Sequence, residues 1–340
     1  MRILVTRTDK MGDVILSIPA LRHLRKVSPD AYIAFMVASK NRELVENEKD
    51  IDEVIAYDKI LGVRGFFSDL KFILELRKKK FDLAIALHPA KRTHIILYAS
   101  GIPIRVGYDN KWGKLLTSRL SHGKQSGEKH EVDYNLDVIS FAGFDISGAD
   151  SKPRVIPTGE ALRKVGLLIK EFGITKGNMI ALHTGSSCRS KMWPLERFAE
   201  AADLLSEKYS ADIVVVGEEV CPKSAHPMEN LMKKRQIDLT GKLGLSDLAA
   251  LFSMCRLVIS NDSGPAHMAA AVGAPVIVIF GRNDPGLSPK RWAPVSDKKR
   301  ILHSPSECSP CLAHNCEKGF LCLNNISAQD VVSAASEMLG

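Results

Sequence analysis

Short apolar runs separated by polar turns and amphipathic stretches recur along the whole chain. Residues 2–6 (RILVT), Tyr32–Val37, Glu53–Tyr57, Asp82–Leu87 and Ile104–Gly107 read as strands, with helices over Val14–Val27, Phe66–Lys79 and Glu131–Phe144. A Pro, Gly and Ser-rich stretch, Asp145–Thr158, reads as a linker. Beyond it a helix runs to Phe172, and strands follow at Met179–His183, Asp212–Val216, Ile237–Leu239, Leu257–Ser260 and Pro275–Phe280. Helices are predicted over Leu195–Tyr209 and Leu248–Met254, from Pro265 onward, and over Ala328–Leu339. Such alternation predicts parallel sheets with right-handed crossovers. The expected architecture is therefore α/β: two Rossmann-like domains, 1–155 and 156–325, facing each other across a cleft. Residues 326–340 form a terminal helix able to pack on either. Lys111–Lys129 shows little periodicity and reads as a mobile loop.

Composition narrows the function classes. With 340 residues, 45% hydrophobic and 25% charged, the chain is typical of a globular protein of two domains. Its net charge of +8 is spread evenly over both halves, with no basic tail and no aromatic-basic stripe. Nucleic acid is therefore not an expected partner, whereas phosphorylated substrates or an anionic membrane surface would suit the field. Arg2 is followed by a short run that reads as a strand, not a signal peptide. The longest apolar stretch, Met268–Phe280, is broken by Gly273 and Pro275, so no transmembrane segment is expected. The expected location is the cytoplasm, with peripheral contact at the inner face of the membrane.

Candidate chemistry gathers where predicted strands end. After Leu257–Ser260 come Asn261-Asp262-Ser263-Gly264, then Pro265 at the first helical position and His267 one turn in. Free amides and the positive end of a helix dipole at a strand's carboxyl edge make an anion site. The plain alternative is that Asp262 and Ser263 cap the helix. After Met179–His183 a loop carries Ser186, Ser187, Arg189 and Lys191 before Trp193-Pro194, a set of hydroxyls and cations suited to a diphosphate. After the first strand, Gly12 permits a tight turn, and Asp13 falls at or near a helix N-cap, where it faces the domain's cleft. That turn lacks G-x-G-x-x-G, so no nicotinamide or flavin cofactor is indicated.

Three stretches taken together, Met11-Gly12-Asp13-Val14, Lys191-Met192-Trp193-Pro194 and Asn261-Asp262-Ser263-Gly264 with His267, resemble glycosyltransferase family 9, which contains the heptosyltransferases of lipopolysaccharide inner-core assembly. The resemblance covers nearly the whole chain. It implies a GT-B fold with the acceptor in the first domain and the nucleotide sugar in the second. It also implies an ADP-heptose donor, a lipid A-Kdo type acceptor, and inverting transfer without a metal. By the same resemblance Asp13 is the catalytic carboxylate and Lys191 the diphosphate contact. Asp262, Ser263, Gly264 and His267 then touch phosphate and donor sugar, Glu218 the ribose, Ser187 the donor, and Thr240, Gly241 and Leu243 the adenine. Inverting transfer needs a base for the acceptor hydroxyl and donors for the departing diphosphate. A helix N-terminus favours a carboxylate as an anion and so weakens it as a base. Proton transfer is then late, or Asp13 only orients the hydroxyl. Arg64, Lys91 and Arg92 are candidates to face acceptor phosphates or carboxylates.

Seven cysteines all lie from Cys188 onward, four of them spaced C-x2-C-x4-C-x5-C at Cys308, Cys311, Cys316 and Cys322. That set suits a structural zinc held by four thiolates, with an iron–sulfur cluster or free thiols as the alternatives. Other functions remain open at this stage: a family 9 transferase for another nucleotide sugar, a nucleotide-sugar epimerase, or a non-catalytic sugar-nucleotide-binding protein. Retention of Asp13 beside a phosphate site speaks against the last.

Overall fold

A computed structural model describes all residues except 111, 176, 219–227, 305–307 and 309, together with the side chain of 229. It divides into two units, one of residues 1–124 and 131–153, the other of 125–130 and 154–340.

The first unit follows the alternation expected of its apolar pattern: β1 (Arg2–Arg7), α1 (Met11–Ile15), α2 (Ile18–Val27), β2 (Tyr32–Val37), β3 (Glu53–Ala56), α3 (Gly62–Lys78), β4 (Leu83–Ala86), α4 (Lys91–Ala99), β5 (Ile104–Asp109), β6 (Ser118–Ser121) and α5 (Glu131–Phe141). The single helix expected over Val14–Val27 is broken at Leu16-Ser17. Pro19 has no N–H to continue α1 and instead suits the start of α2, while Ser17 Oγ donates to the Asp13 carbonyl at 2.8 Å. Part of the loop expected over Lys111–Lys129 is ordered as β6, which pairs in parallel with β5 through alternating half-buried and exposed side chains. An edge strand of that kind shows no apolar run to read.

The second unit contains α6 (Gly159–Glu171), β7 (Met179–His183), α7 (Leu195–Tyr209), β8 (Asp212–Val216), β9 (Gln236–Asp238), α8 (Leu245–Met254), β10 (Leu257–Asn261), α9 (Gly264–Ala271), β11 (Val276–Phe280), α10 (Pro289–Trp292), β12 (Lys299–His303), α11 (Leu321–Asn324) and α12 (Ala328–Leu339). The charged edge strand β12 is the second one that periodicity misses. Val331, Val332 and Ala335 of α12 are buried with Phe198 and Leu205 of α7, so the terminal helix belongs to this unit's core.

Both sheets are wholly parallel and six-stranded, ordered β3-β2-β1-β4-β5-β6 and β9-β8-β7-β10-β11-β12. Counted within each unit these are the same order, 3-2-1-4-5-6. The direction of winding reverses between β1 and β4 and again between β7 and β10, and there the loops diverge and leave a crevice at the strands' carboxyl ends. Central strands such as β11 (VIVIF) and β10 are buried on every residue, as expected of sheets covered by helices on both faces. Among the described residues, no helix is long and apolar enough to cross a membrane.

Candidate active site

The first unit's switch point carries a buried charge network centred on Arg7, the last residue of β1. Its guanidinium, 2% exposed, is fanned across Asp9 (Nε, 2.9 Å), Glu131 (Nη1, 3.0 Å), Asn135 (Nη1, 3.0 Å) and Asp13 through Nη2. Lys124 Nζ meets the same Glu131 oxygen at 2.7 Å. Asn135 Nδ2 donates to the Leu16 carbonyl at 3.0 Å, tying α5 to the break that separates α1 from α2. Asp13 is the third residue of α1, whose N-cap is Lys10, rather than the cap itself. Gly12 lies within that helix, buried and without a positive φ, so the turn into α1 does not draw on glycine's freedom.

Three carboxylates thus face two cations, and the surplus is negative. Burial pulls the Arg7 guanidinium down, but the charges of Asp9, Asp13 and Glu131 outweigh it and hold Arg7 firmly protonated. Burial pushes Asp9 up to about 6 against the pull of Arg7, with the Asp13 charge adding to the rise. Desolvation pushes His88, 3.4 Å from Asp9, down to about 4, and the Arg7 charge acts in the same direction. Next to this network lies a cavity of about 660 Å³ at the carboxyl ends of β1 to β4, lined by Asp9, Lys40, Lys59, His88, Lys91 and Arg92 among others. Arg92 is committed there: it donates to Asp69 and to the Ile60 carbonyl, each at 2.6 Å. Lys91 Nζ stands 4.4 Å from the centre of the Trp112 ring, and Arg64 is exposed on α3.

The second unit's switch point has the opposite polarity. Asp262, 3% exposed, receives both Lys191 Nζ (2.9 Å) and Arg282 Nη2 (2.6 Å) on one oxygen. One carboxylate between two cations, beside the N-terminus of α9, leaves a net positive site. Asp262 is accordingly the residue that aims the two cations. Ser263 is the N-cap of α9, with no side-chain cap bond, so the plain capping alternative is not what the structure shows. Its Oγ lies 3.2 Å from His183 Nδ1 and 3.1 Å from Ser260 Oγ. Burial pushes His183 down to about 4, so the imidazole between the two hydroxyls is neutral. Gly264 opens the helix half-buried, and His267 is buried in its first turn.

Asn261 holds the cation-bearing loop. Its Oδ1 accepts from the Trp193 amide at 3.0 Å, and its Nδ2 donates to the Thr184 carbonyl at 2.7 Å. Lys191 ends a single 3-10 turn, Arg189–Lys191, whose Ser190 is buried against Gly281. A Cβ at Gly281 would stand 2.7 Å from the Ser190 carbonyl oxygen, so only glycine fits. Arg282 follows with φ of +56°, a strained backbone for a side chain that must turn back onto Asp262. Ser187 and Glu218 lie exposed in the loops after β7 and β8, and Thr240, Gly241 and Leu243 follow β9.

Arg7, Asp9, Glu131, His183 and Arg282 were not singled out from the sequence, and Asn261 was named only as part of its turn. Most carried a signal: Arg7, Asp9, His183, Asn261 and Arg282 are polar residues at or just past the carboxyl end of an apolar strand. Cys308, Cys311, Cys316 and Cys322 line one cavity together with Ser190 and Arg282. Among the described residues, however, no three His, Cys, Asp or Glu side chains are grouped as ligands of one ion. Within that cavity wall Cys311 Sγ accepts from the Asn283 amide at 3.3 Å.

Two Rossmann-like units, one with a desolvated carboxylate network and the other with a cationic anion site at the equivalent switch point, make up a chain of the GT-B fold class. Comparison with known proteins agrees. The profile of glycosyltransferase family 9 (heptosyltransferase) matches residues 70–321. The chain belongs to glycosyltransferase family 9. It is 25% identical to lipopolysaccharide heptosyltransferase 1 of Campylobacter coli, covering 100% of this chain and 99% of that one. Lipopolysaccharide heptosyltransferase 2 of Escherichia coli is 24% identical, over 89% of this chain and 88% of its own. Among solved structures, a family 9 glycosyl transferase from Veillonella parvula superposes with a TM-score of 0.84 at 27% identity, covering 99% and 97% of the two chains. The ADP-heptose lipopolysaccharide heptosyltransferase II of Escherichia coli gives 0.76 at 21%, covering 100% and 98%.

Proposed function

We propose that this enzyme transfers heptose from ADP-heptose to the inner core of lipopolysaccharide, on a lipid A-Kdo type or already heptosylated acceptor at the inner face of the membrane. The observation that carries the reading is the opposed polarity of the two switch points in a family 9 chain: surplus carboxylate at Arg7, surplus cation at Asp262. In this reading an acceptor hydroxyl gives its proton to the Asp13 carboxylate as its oxygen forms a bond to the anomeric carbon. The bond from that carbon to the β-phosphate oxygen breaks with inversion, and ADP leaves with the electron pair. Lys191, Arg282 and the first-turn amides of α9 neutralise the departing diphosphate. Arg7 holds Asp13 toward the reacting hydroxyl. The basic cavity lined by Lys40, Lys59 and Lys91 suits an acceptor carrying carboxylates or phosphates. Relatives named as lipopolysaccharide heptosyltransferases support the choice of sugar and acceptor.

The test is ADP release from ADP-heptose by the purified protein, with and without a Kdo-bearing lipid A acceptor. Acceptor-dependent release is expected, and Asp13→Asn should lower kcat by about 10²-fold or more while donor binding is kept. Donor binding without release on any such acceptor would sink the acceptor assignment, and absence of donor binding would sink ADP-heptose.

A further inference from the structure

Helix α3 has two apolar faces and only one of them is covered. Leu76 is buried and Phe72 and Ile73 pack on the first unit's core, while Asp69 is pinned by Tyr57 Oη at 2.9 Å and Arg92 at 2.6 Å. At about 100° per residue these positions share one side of the helix. On the adjoining face Val63, Phe66, Phe67, Leu70 and Leu74 fall within about 100° of arc. They are 75%, 66%, 63%, 46% and 48% exposed, and Leu61 just before the helix is 76% exposed. Phe66 and Phe67 touch edge to face with ring centres 5.7 Å apart, so the stripe is continuous in the exposed state.

The helix is not free to turn this stripe inward. A Cβ at Gly65 would meet the Ile60 carbonyl, to which Arg92 also donates, so the turn before α3 is locked against the domain. Around the stripe the charge is one-sided. Residues 59–80 carry seven Lys and Arg (Lys59, Arg64, Lys71, Arg77, Lys78, Lys79, Lys80) against Asp69 and Glu75 alone, and Asp69 points into the domain. Arg64, Lys71 and Lys78 are exposed along one edge of the apolar arc, Lys78 beside the exposed Glu75 at 2.9 Å.

We infer that α3 and the turn before it dock on an anionic lipid bilayer, with Phe66, Phe67, Val63 and Leu70 entering the headgroup boundary and Lys71 and Lys78 meeting lipid phosphates. An apolar stripe with a basic edge on a rigidly held helix is the chemistry of an interfacial membrane helix. The purpose rests on the lipid-linked acceptor proposed above, since docking would hold the first unit at the depth where that acceptor's headgroup emerges. The surface itself does not depend on which sugar is transferred.

The experiment is co-sedimentation of the full-length protein with vesicles of phosphatidylethanolamine and phosphatidylglycerol, and with vesicles of phosphatidylcholine alone. Binding is expected to the anionic vesicles only and to weaken as salt rises. Phe66→Ser with Phe67→Ser, and separately Lys71→Glu with Lys78→Glu, should each lower the vesicle partition coefficient about tenfold or more. ADP-heptose binding and the urea midpoint should stay as in the native protein. No co-sedimentation, or equal binding by the Phe66→Ser, Phe67→Ser protein, overturns the inference. So does a native dimer in light scattering that the same variant dissolves, which would give the face to a second copy. Transfer to a delipidated acceptor without vesicle binding would end this inference alone. Vesicle binding without any heptose transfer would end the functional reading alone.

Discussion

Asp262 and Lys191 occupy one ion pair yet have different jobs, and substitution separates them. Asp262 and Arg282 are both nearly sealed from water, so Asp262→Ala strands a buried guanidinium and should cost about 3–5 kcal/mol in urea unfolding. Lys191 keeps 19% of its side chain exposed and its loss leaves Asp262 paired with Arg282, so Lys191→Ala should cost clearly less stability than Asp262→Ala. Its loss should instead appear as a donor Kd raised about tenfold or more, measured by titration with ADP-heptose. If both variants only destabilise, the cationic site is structural. His183 adds a pH dependence of known sign. Its pKa falls to about 4 in the folded state against 6.5 unfolded, so the unfolded chain takes up the proton first. Stability is fully present above pH 6.5 and should fall by about 3 kcal/mol as pH drops to 4. Urea titrations at both pH values test this, and His183→Gln should flatten that part of the slope.

At the scale of elements, the anion site depends on how closely the Lys191 loop lies on the end of β11. Gly281→Ala forces the Ser190 carbonyl away from a 2.7 Å approach and should cost about 1–3 kcal/mol. Because Ser190 precedes Lys191, the same variant should also weaken donor binding, which a purely local clash would not do. Most central elements were legible in the sequence because buried parallel strands are continuous apolar runs. Three features were not: the break at Leu16-Ser17 and the edge strands β6 and β12. Pro19 was the available signal for the first. An edge strand is written in backbone pairing rather than in its side chains. For the site, Asp13, Lys191, Asp262 and Ser263 were legible as polar residues in strand-to-helix turns. Arg7 and Glu131, 124 residues apart, declare nothing until the fold brings them to 3.0 Å.

Across the whole molecule, the same 3-2-1-4-5-6 order appears twice, and each copy has its own core. Calorimetry should therefore resolve two transitions. ADP-heptose at about a hundred times its Kd should stabilise the unit that binds it by about 2.7 kcal/mol. Only one transition should then move, by about 5–10 °C for a unit of this size. Movement of both by equal amounts would mean that the donor is held by the two units jointly.

What the sequence by itself determined is the class of fold and the places where chemistry could sit. Apolar periodicity fixes which segments are strands, and strand-to-helix alternation makes the sheets parallel. Parallel winding puts the functional loops at carboxyl ends. What only the tertiary structure decided is the charge state and partnership of the residues in those loops. That Asp262 aims two cations, that Arg7 gathers three carboxylates, and that α3 leaves an apolar face in water all depend on long-range contacts. Burial and Coulomb energy act on distance in space, and sequence spacing carries no measure of that distance.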